Sequence, residues 1–357
     1  MTDYNGVIKE LVEGSWVEPE TGKQFEMGIN DIVISDSLDG GEAELVAKQH
    51  TGQTLTVVSD PNTHAALGER VFKALKAGGF DVREYIWQDP KCTDKGVEHI
   101  RQATRHTDAL IAVGAGTVSD TVKYACYLDK RNYSVFATSP MCAFATPTAS
   151  VSFDGFKRSI TCSGAQGAYF DLSVIAKCPK RLISAAFADV ICRTTSQVDW
   201  LTSHLFLGTP YMQTPYTVLA YDEENMIARA GDMLNGDIDA LGMLTRTSTC
   251  QGLGTRFTST THSGSMAEHM ISHYIDMFAG DRHPQTSHGE QVGVATITMS
   301  QLHNQMLAQE SPPVMKPTDI PVDKMRNLFP AATADNMIEQ TKLKAIDRKQ
   351  AAQLNKR

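Results

Sequence analysis

The sequence predicts an α/β domain built on a mainly parallel sheet, followed by an all-α domain. Three observations lead there. Short apolar runs alternate with amphipathic stretches from residue 31 to residue 137, and the texture turns helical after about residue 175. The length of 357 residues suits two domains with a sizeable core. Strands alternating with helices of about 10–15 residues call for parallel pairing through right-handed crossovers.

Taken in order, residues 31–35 (DIVIS) and 55–59 (LTVVS) read as strands, the second closing on Asp60. Residues 82–86 and the unbroken apolar run 109–113 (ALIAV) follow, and 134–137 closes the series. Helices are expected over 41–49, 64–77 (stopped by Gly78-Gly79), 96–105 and 120–128. Beyond Pro179, the segments 180–207, 224–234, 238–252, 265–278 and 289–307 keep a helical period. The expected division is therefore 1–178 and 179–357, with the cleft between the two as the ligand site. Residues 311–317 (SPPVMKP) read as an ordered surface loop, and the basic stretch 342–357 as a solvated helix face.

Composition narrows the function. With 41% hydrophobic and 21% charged residues the chain reads as soluble and globular. A net charge of −8 argues against a nucleic-acid partner, which would need clustered Lys and Arg. The seven cysteines are scattered and form no C-x-x-C, which fits reduced thiols in the cytosol. The start, Met1-Thr2-Asp3-Tyr4-Asn5, shows neither a basic region nor an apolar run, and no window is apolar enough to span a membrane. A cytoplasmic location is expected.

Four of the eleven histidines, His262, His269, His273 and His288, crowd into one stretch. His269 and His273 are four apart and so share a helix face, and His288 comes from the next segment before Gly289-Glu290. Imidazoles so grouped suit a divalent metal, with Zn first and Fe or Ni as alternatives. His262 and His283 read as ordinary hydrogen-bonded histidines. The carboxylate such a centre lacks is best supplied by Asp189, an acid set among Ala188, Phe187 and Val190 that is costly to bury unpaired; a helix charge or a salt bridge is the alternative. Gly114-Ala115-Gly116-Thr117-Val118-Ser119-Asp120, between a strand and a helix, can cradle a pyrophosphate, or else is a tight turn without a ligand. Asp60 can accept hydrogen bonds from a ribose, favouring NAD over NADP, or can cap the helix that follows; the two roles are compatible. No H-E-x-x-H and no G-x-S-x-G is present.

In this order the motifs resemble the iron-containing alcohol dehydrogenase superfamily. They are Asp60, Gly114 to Asp120, Ser152-Phe153-Asp154-Gly155, Ala188-Asp189, Asp199-Trp200, Glu268-His269-Met270-Ile271-Ser272-His273 and His288-Gly289-Glu290. The nearest branch is the sn-glycerol-1-phosphate dehydrogenases, over roughly residues 30–310. The resemblance implies an N-terminal NAD(P)-binding domain and a C-terminal helical domain, with metal and substrate between them. It implies Asp189, His269 and His288 as metal ligands and Asp154, Asp189 and His273 as residues at the substrate, His273 and Asp154 being catalytic. It implies residues 114–120 as the pyrophosphate loop and residues around Ala149 to Ser152 as a second cofactor contact.

The implied reaction is reduction of dihydroxyacetone phosphate to sn-glycerol 1-phosphate, on a small-molecule substrate without nucleic acid or membrane; a homo-oligomer is left open. The chain departs from the family after Asp154-Gly155, where the resemblance implies a further hairpin-like piece of about a dozen residues, with a serine near the cofactor, that is missing here. It departs again at Cys192 and Arg193, where the family has glycine and lysine, and at His262, where relatives carry arginine. Another small polyol is the alternative substrate. A dehydroquinate-synthase-like cyclase and a non-catalytic metal- or nucleotide-binding module are the remaining readings.

Overall fold

Six parallel strands form the central sheet of the computed structural model, which describes residues 6–311 and 313–356. They are β1 (Asp31–Ser35), β2 (Leu55–Ser59), β3 (Val82–Ile86), β4 (Ala109–Gly114), β5 (Asn132–Ala137) and β8 (Gly167–Asp171). Between β5 and β8 the chain makes a separate antiparallel hairpin, β6 (Thr148–Phe153) and β7 (Phe156–Thr161). The spatial order is β1-β8-β5-β4-β2-β3, with every neighbouring pair parallel.

Helices Glu42–His50, Glu69–Ala77, Asp94–Ala103 and Gly116–Asp129 connect the strands. With both faces covered, β2, β4 and β8 are buried along their whole length, which is why β4 reads as unbroken apolar sequence. Alternate residues feed opposite faces. Val58, Leu110, Ala112 and Val135 join one apolar cluster, and Val57, Ile111, Val113 and Phe136 the other.

The sheet's strand order reverses at β2. Its successor in sequence, β3, lies on one side of it and β4 on the other, so a crevice opens between the carboxyl ends of β2 and β4. Asp60 follows β2 directly, and Gly114 ends β4. The two motifs read separately from the sequence therefore stand at one topological switch point.

The expected strands at 31–35, 55–59 and 82–86 match, and β4 and β5 run slightly longer than expected. The hairpin and β8 were not among them. The hairpin turns at Asp154 (φ 48°) and Gly155 (φ 86°), a two-residue corner with both central residues left-handed, as tight hairpins require. The helix after β4 starts at Gly116 rather than 120.

Past Pro179 the described chain is helical. The expected run 180–207 is two helices, Lys180–Ile191 and Arg193–Leu207, broken at Cys192. Ile238–Thr258, Ala267–Phe278 and His288–Leu307 follow, and Val322–Leu328 with Ala331–Lys344 closes a small apolar cluster around Phe329 and Met337. The basic C-terminal stretch includes the helix Arg348–Leu354, which buries Ala351 and Leu354 and leaves its charged residues exposed. Met1 to Asn5, Pro312 of the proline-rich loop and Arg357 lie outside the described residues. Among the described residues no helix is long and apolar enough to cross a membrane.

Candidate active site

Two helices must touch closely for the histidine segment to meet Asp189. The Lys180–Ile191 and His288–Leu307 helices do so through small residues. A Cβ on Gly289 would fall 2.2 Å from the Ala185 carbonyl oxygen, and one on Gly293 2.7 Å from the Ala188 Cβ. This contact brings His288, the first residue of its helix, beside Asp189 near the end of the other. The Ala267–Phe278 helix supplies His269 and His273 from a third side.

One ligand atom each from Asp189, His269 and His288 lies within 4.8 Å of the others. Asp189 Oδ1 is buried without a hydrogen-bond partner; its nearest polar neighbours are His269 Nε2 at 3.5 Å and His288 Nε2 at 3.8 Å. These are ion-pair distances, too long for good hydrogen bonds. An orphaned carboxylate oxygen facing two imidazole nitrogens is a donor set that fits a divalent cation with an open position. Burial would push the Asp189 carboxyl up, but His269 and His288 beside it bring it down to about 2.

The rings are held from behind. His269 Nδ1 lies 2.9 Å from Glu268 Oε1, and Glu268, fully buried, also accepts the Met266 N–H at 2.8 Å. His288 Nδ1 lies 3.0 Å from the buried Ser272 Oγ, which donates to Gln291 Oε1 at 2.7 Å. Since the Ser272 proton is used on Gln291, the serine accepts from His288 Nδ1–H. The Nε2 lone pair then points at Asp189. Carboxylate and hydroxyl groups of this kind fix the tautomer of a metal-binding imidazole. Burial, opposed by the Asp189 charge, holds His288 down at about 3.

His273 sits beside this group, its ring centroid 5.8 Å from that of His288 and 6.4 Å from that of His269. Burial, with Lys157 and His269 adding positive charge, lowers it to about 4 and keeps it neutral. Cys192, Glu268 and His269 form a second close triple. There the thiol donates to the Asp189 and Gly264 carbonyls at 2.9 and 3.3 Å, and burial pushes it up to about 11, so it stays protonated. His262 packs edge-on against Trp200 at 5.8 Å, apart from the cluster, and its buried Nδ1 has no hydrogen-bond partner, unlike the satisfied histidine expected.

Away from the histidine group, the Gly116–Asp129 helix begins behind an extended Ala115 with no side-chain cap. Space around Gly116 is open and Thr117 is exposed, so the first N–H groups of the helix can receive an anion. Gly114 and Val118 pack this turn: a Cβ on Gly114 would lie 2.8 Å from that of Val118. Asp60 caps its own turn, with Oδ1 accepting the Asn62 and Thr63 N–H groups, in a capping box. Asp120 is drawn inward, where Lys123 Nζ at 3.1 Å and the Ser150 N–H at 3.0 Å occupy its two oxygens. Ser152 lies on β6, its N–H bonded to the Cys92 carbonyl. Asp154 is the exposed corner of the hairpin, and among the described residues no hydrogen bond or ion pair joins it to the histidine group.

The structure thus gathers Asp189, His269, His273 and His288, and separately Asp60 with residues 114–118. Glu268, Ser272 and Gln291 had no role assigned from sequence. The serine's place three residues after His269, on the same helix face, was the signal available for it.

The iron-containing alcohol dehydrogenase family profile matches residues 33–179. A glycerol-1-phosphate dehydrogenase (NAD(P)+) of Halalkalibacterium halodurans is 29% identical over 257 residues, covering 70% of this chain and 64% of that protein. One from Methanothermobacter thermautotrophicus is 27% identical over 249 residues, 69% and 70% of the two chains. Over residues 33–179 the chain is similar to the iron-containing alcohol dehydrogenases. Two solved structures share the fold. A probable glycerol dehydrogenase from Sinorhizobium meliloti superposes with a TM-score of 0.60 at 15% identity over 86% of this chain and 89% of its own. An iron-containing alcohol dehydrogenase from Thermotoga maritima gives 0.59 at 15% identity, over 78% and 82%.

Proposed function

We propose that the protein is a metal-dependent oxidoreductase that moves a hydride between NAD(P)H and a small ketone, with dihydroxyacetone phosphate and sn-glycerol 1-phosphate as the pair. The observation that carries this is the convergence of Asp189, His269 and His288 within 4.8 Å around an unsatisfied carboxylate oxygen. The names of the glycerol-1-phosphate dehydrogenases it resembles support the substrate. In this reading residues 1–178 hold the dinucleotide and 179–357 the metal and substrate.

When bound, a divalent metal supplies Lewis-acid polarisation of the carbonyl and the dinucleotide supplies the hydride. Asp189, His269 and His288 hold the metal, and Glu268 and Ser272 fix which ring nitrogens face it. The N–H groups of residues 116–118 hold the pyrophosphate, and Asp60 uses its second oxygen on the ribose, which favours NAD. Neutral His273 takes the hydroxyl proton at a ring nitrogen in the oxidative direction and returns it in reduction. Zinc is the proposed metal, the donor set accommodating iron or nickel as well. Asp154 enters here as a substrate contact only if the hairpin tip moves toward the histidines.

The test is metal reconstitution followed by NADH oxidation on a ketone panel. Oxidation with dihydroxyacetone phosphate, lost in Asp189→Asn and His288→Ala together with bound metal, is the expected result. Equal rates on phosphorylated and unphosphorylated ketones would remove the substrate assignment, and full turnover by metal-free protein the mechanism.

A further inference from the structure

We infer that Lys157 is the specificity residue that recognises the anionic end of the substrate, a phosphate monoester. The inference rests on the oxidoreductase reading above and names the residue through which that site would select a charged ketone. The chain as a whole carries −8, so a dianion needs a local cation to enter the cleft.

Lys157 is placed there by the hairpin. It follows the Asp154-Gly155 corner on β7 and pairs with Ser152 across the two strands, so the two side chains share a face. β7 packs on the Ala267–Phe278 helix, where Lys157 Nζ reaches Asp276 Oδ2 at 2.9 Å. Asp276 stands three residues beyond His273, on the same side of that helix. Its other oxygen accepts from Gln291 Nε2 at 3.0 Å, the glutamine that steadies Ser272 behind His288.

Donor counting separates Lys157 from Lys123, Arg193 and Arg181. Lys123 is fully buried and spends all three donors on Asp120, the Ala143 carbonyl and the Thr148 carbonyl. Arg193 is locked bidentate on Glu223 and donates its remaining nitrogen to Gln197. Arg181 is bidentate on Glu290 and also bonds the Gln285 carbonyl. Lys157 has one described partner for three N–H donors, and its side chain is 20% exposed. An ammonium steadied by one carboxylate, with two donors left, can take phosphate oxygens as a point charge.

The experiment compares wild type, Lys157→Met, Lys157→Arg and Asp276→Asn by steady-state kinetics on dihydroxyacetone phosphate and dihydroxyacetone. In parallel, inorganic phosphate and glycerol phosphate are titrated calorimetrically into the metal-loaded proteins. Lys157→Met is expected to cut the preference for the phosphorylated ketone about 10- to 150-fold, the worth of one charged hydrogen bond, with the loss carried by KM. Lys157→Arg should keep much of the preference, and calorimetric phosphate binding should weaken in step with KM. Three results overturn the inference: Lys157→Met leaving the preference unchanged, whether or not both rates fall; Asp276→Asn abolishing it as thoroughly as Lys157→Met; or glycerol phosphate binding Lys157→Met as tightly as wild type. If wild type reduces no ketone, the oxidoreductase reading fails by itself. Calorimetry then still decides on Lys157, since a wild type that binds neither phosphate compound overturns it.

Discussion

His288 Nε2 faces Asp189 because its other nitrogen is engaged by Ser272, and Ser272 is itself fixed by Gln291. Removing the hydroxyl frees the ring to rotate and to exchange tautomers without disturbing any ligand atom. Ser272→Ala should therefore lower metal affinity about 10- to 100-fold while leaving the fold intact. Competition with a chromophoric chelator measures this directly; unchanged affinity would mean that helix packing alone orients His288. Gln291→Leu should act in the same direction, because a serine without its acceptor can donate to His288 Nδ1 and invert the tautomer. Asp154 makes a contrasting case. Its left-handed corner (φ 48°) suits glycine as well as aspartate, so Asp154→Gly should preserve the hairpin. If turnover of that variant stays at the wild-type level, the catalytic role suggested by the family pattern does not hold for this chain.

At the scale of elements, the site depends on how near the Lys180–Ile191 helix comes to the His288–Leu307 helix. Gly289 meets backbone, which cannot swing aside as a side chain would. Gly289→Ala should force the helices apart, destabilising the protein by roughly 1–3 kcal/mol and weakening metal binding together with stability. Gly231→Ala is the matched control: its Cβ meets nothing within 4 Å inside the Ala230–Leu234 helix, so it should be neutral or slightly stabilising. Thermal melts with and without metal separate the two. Equal behaviour of both variants would show that the close crossing is not what joins Asp189 to His288. The same scale explains what could be read from sequence. β1, β2, β4 and β5 were legible because burial on one or both faces writes period two or an unbroken apolar run into the chain. β8 was not, since GAYFD is bounded by Gly and Asp, and its place between β1 and β5 is a long-range matter. The hairpin was announced by Asp154-Gly155, a turn signal outweighed by the family pattern drawn around the same two residues. His269 and His273 were legible by helical spacing; Asp276, Lys157 and Gln291 were not, because a surface charge and a polar helix residue look alike before their partners are known.

Across the whole molecule, the carboxyl end of the inner strand β8 is tied to the helices by one buried charge group, and this makes stability sensitive to acid. Asp171 ends β8 fully buried. One oxygen accepts from Ser173 Oγ at 2.6 Å and the Val174 N–H, the other from the Leu38 N–H at 3.0 Å and Arg70 Nη2 at 2.6 Å. Arg70, on the Glu69–Ala77 helix, also touches buried Glu42 at 2.6 Å, so two helices, β8 and the segment after β1 meet here. Burial pushes the Asp171 carboxyl up, but Ser173, the Leu38 N–H and Arg70 outweigh it and hold the group below the usual carboxylate range. As pH falls, the unfolded chain then takes up this proton first, near its ordinary value of about 3.9. The stabilisation is complete above that value and is lost as pH falls through the lower folded one. Asp171→Asn should cost about 1–2 kcal/mol at neutral pH, Arg70 being partly exposed and keeping Glu42. The gap between wild type and variant should stay level from neutral pH down to about 5 and close below about 4. Urea unfolding at a series of pH values follows that gap. A difference that persists undiminished into strong acid would mean that Asp171 stabilises the end of β8 through its shape and hydrogen bonds, and not through its charge.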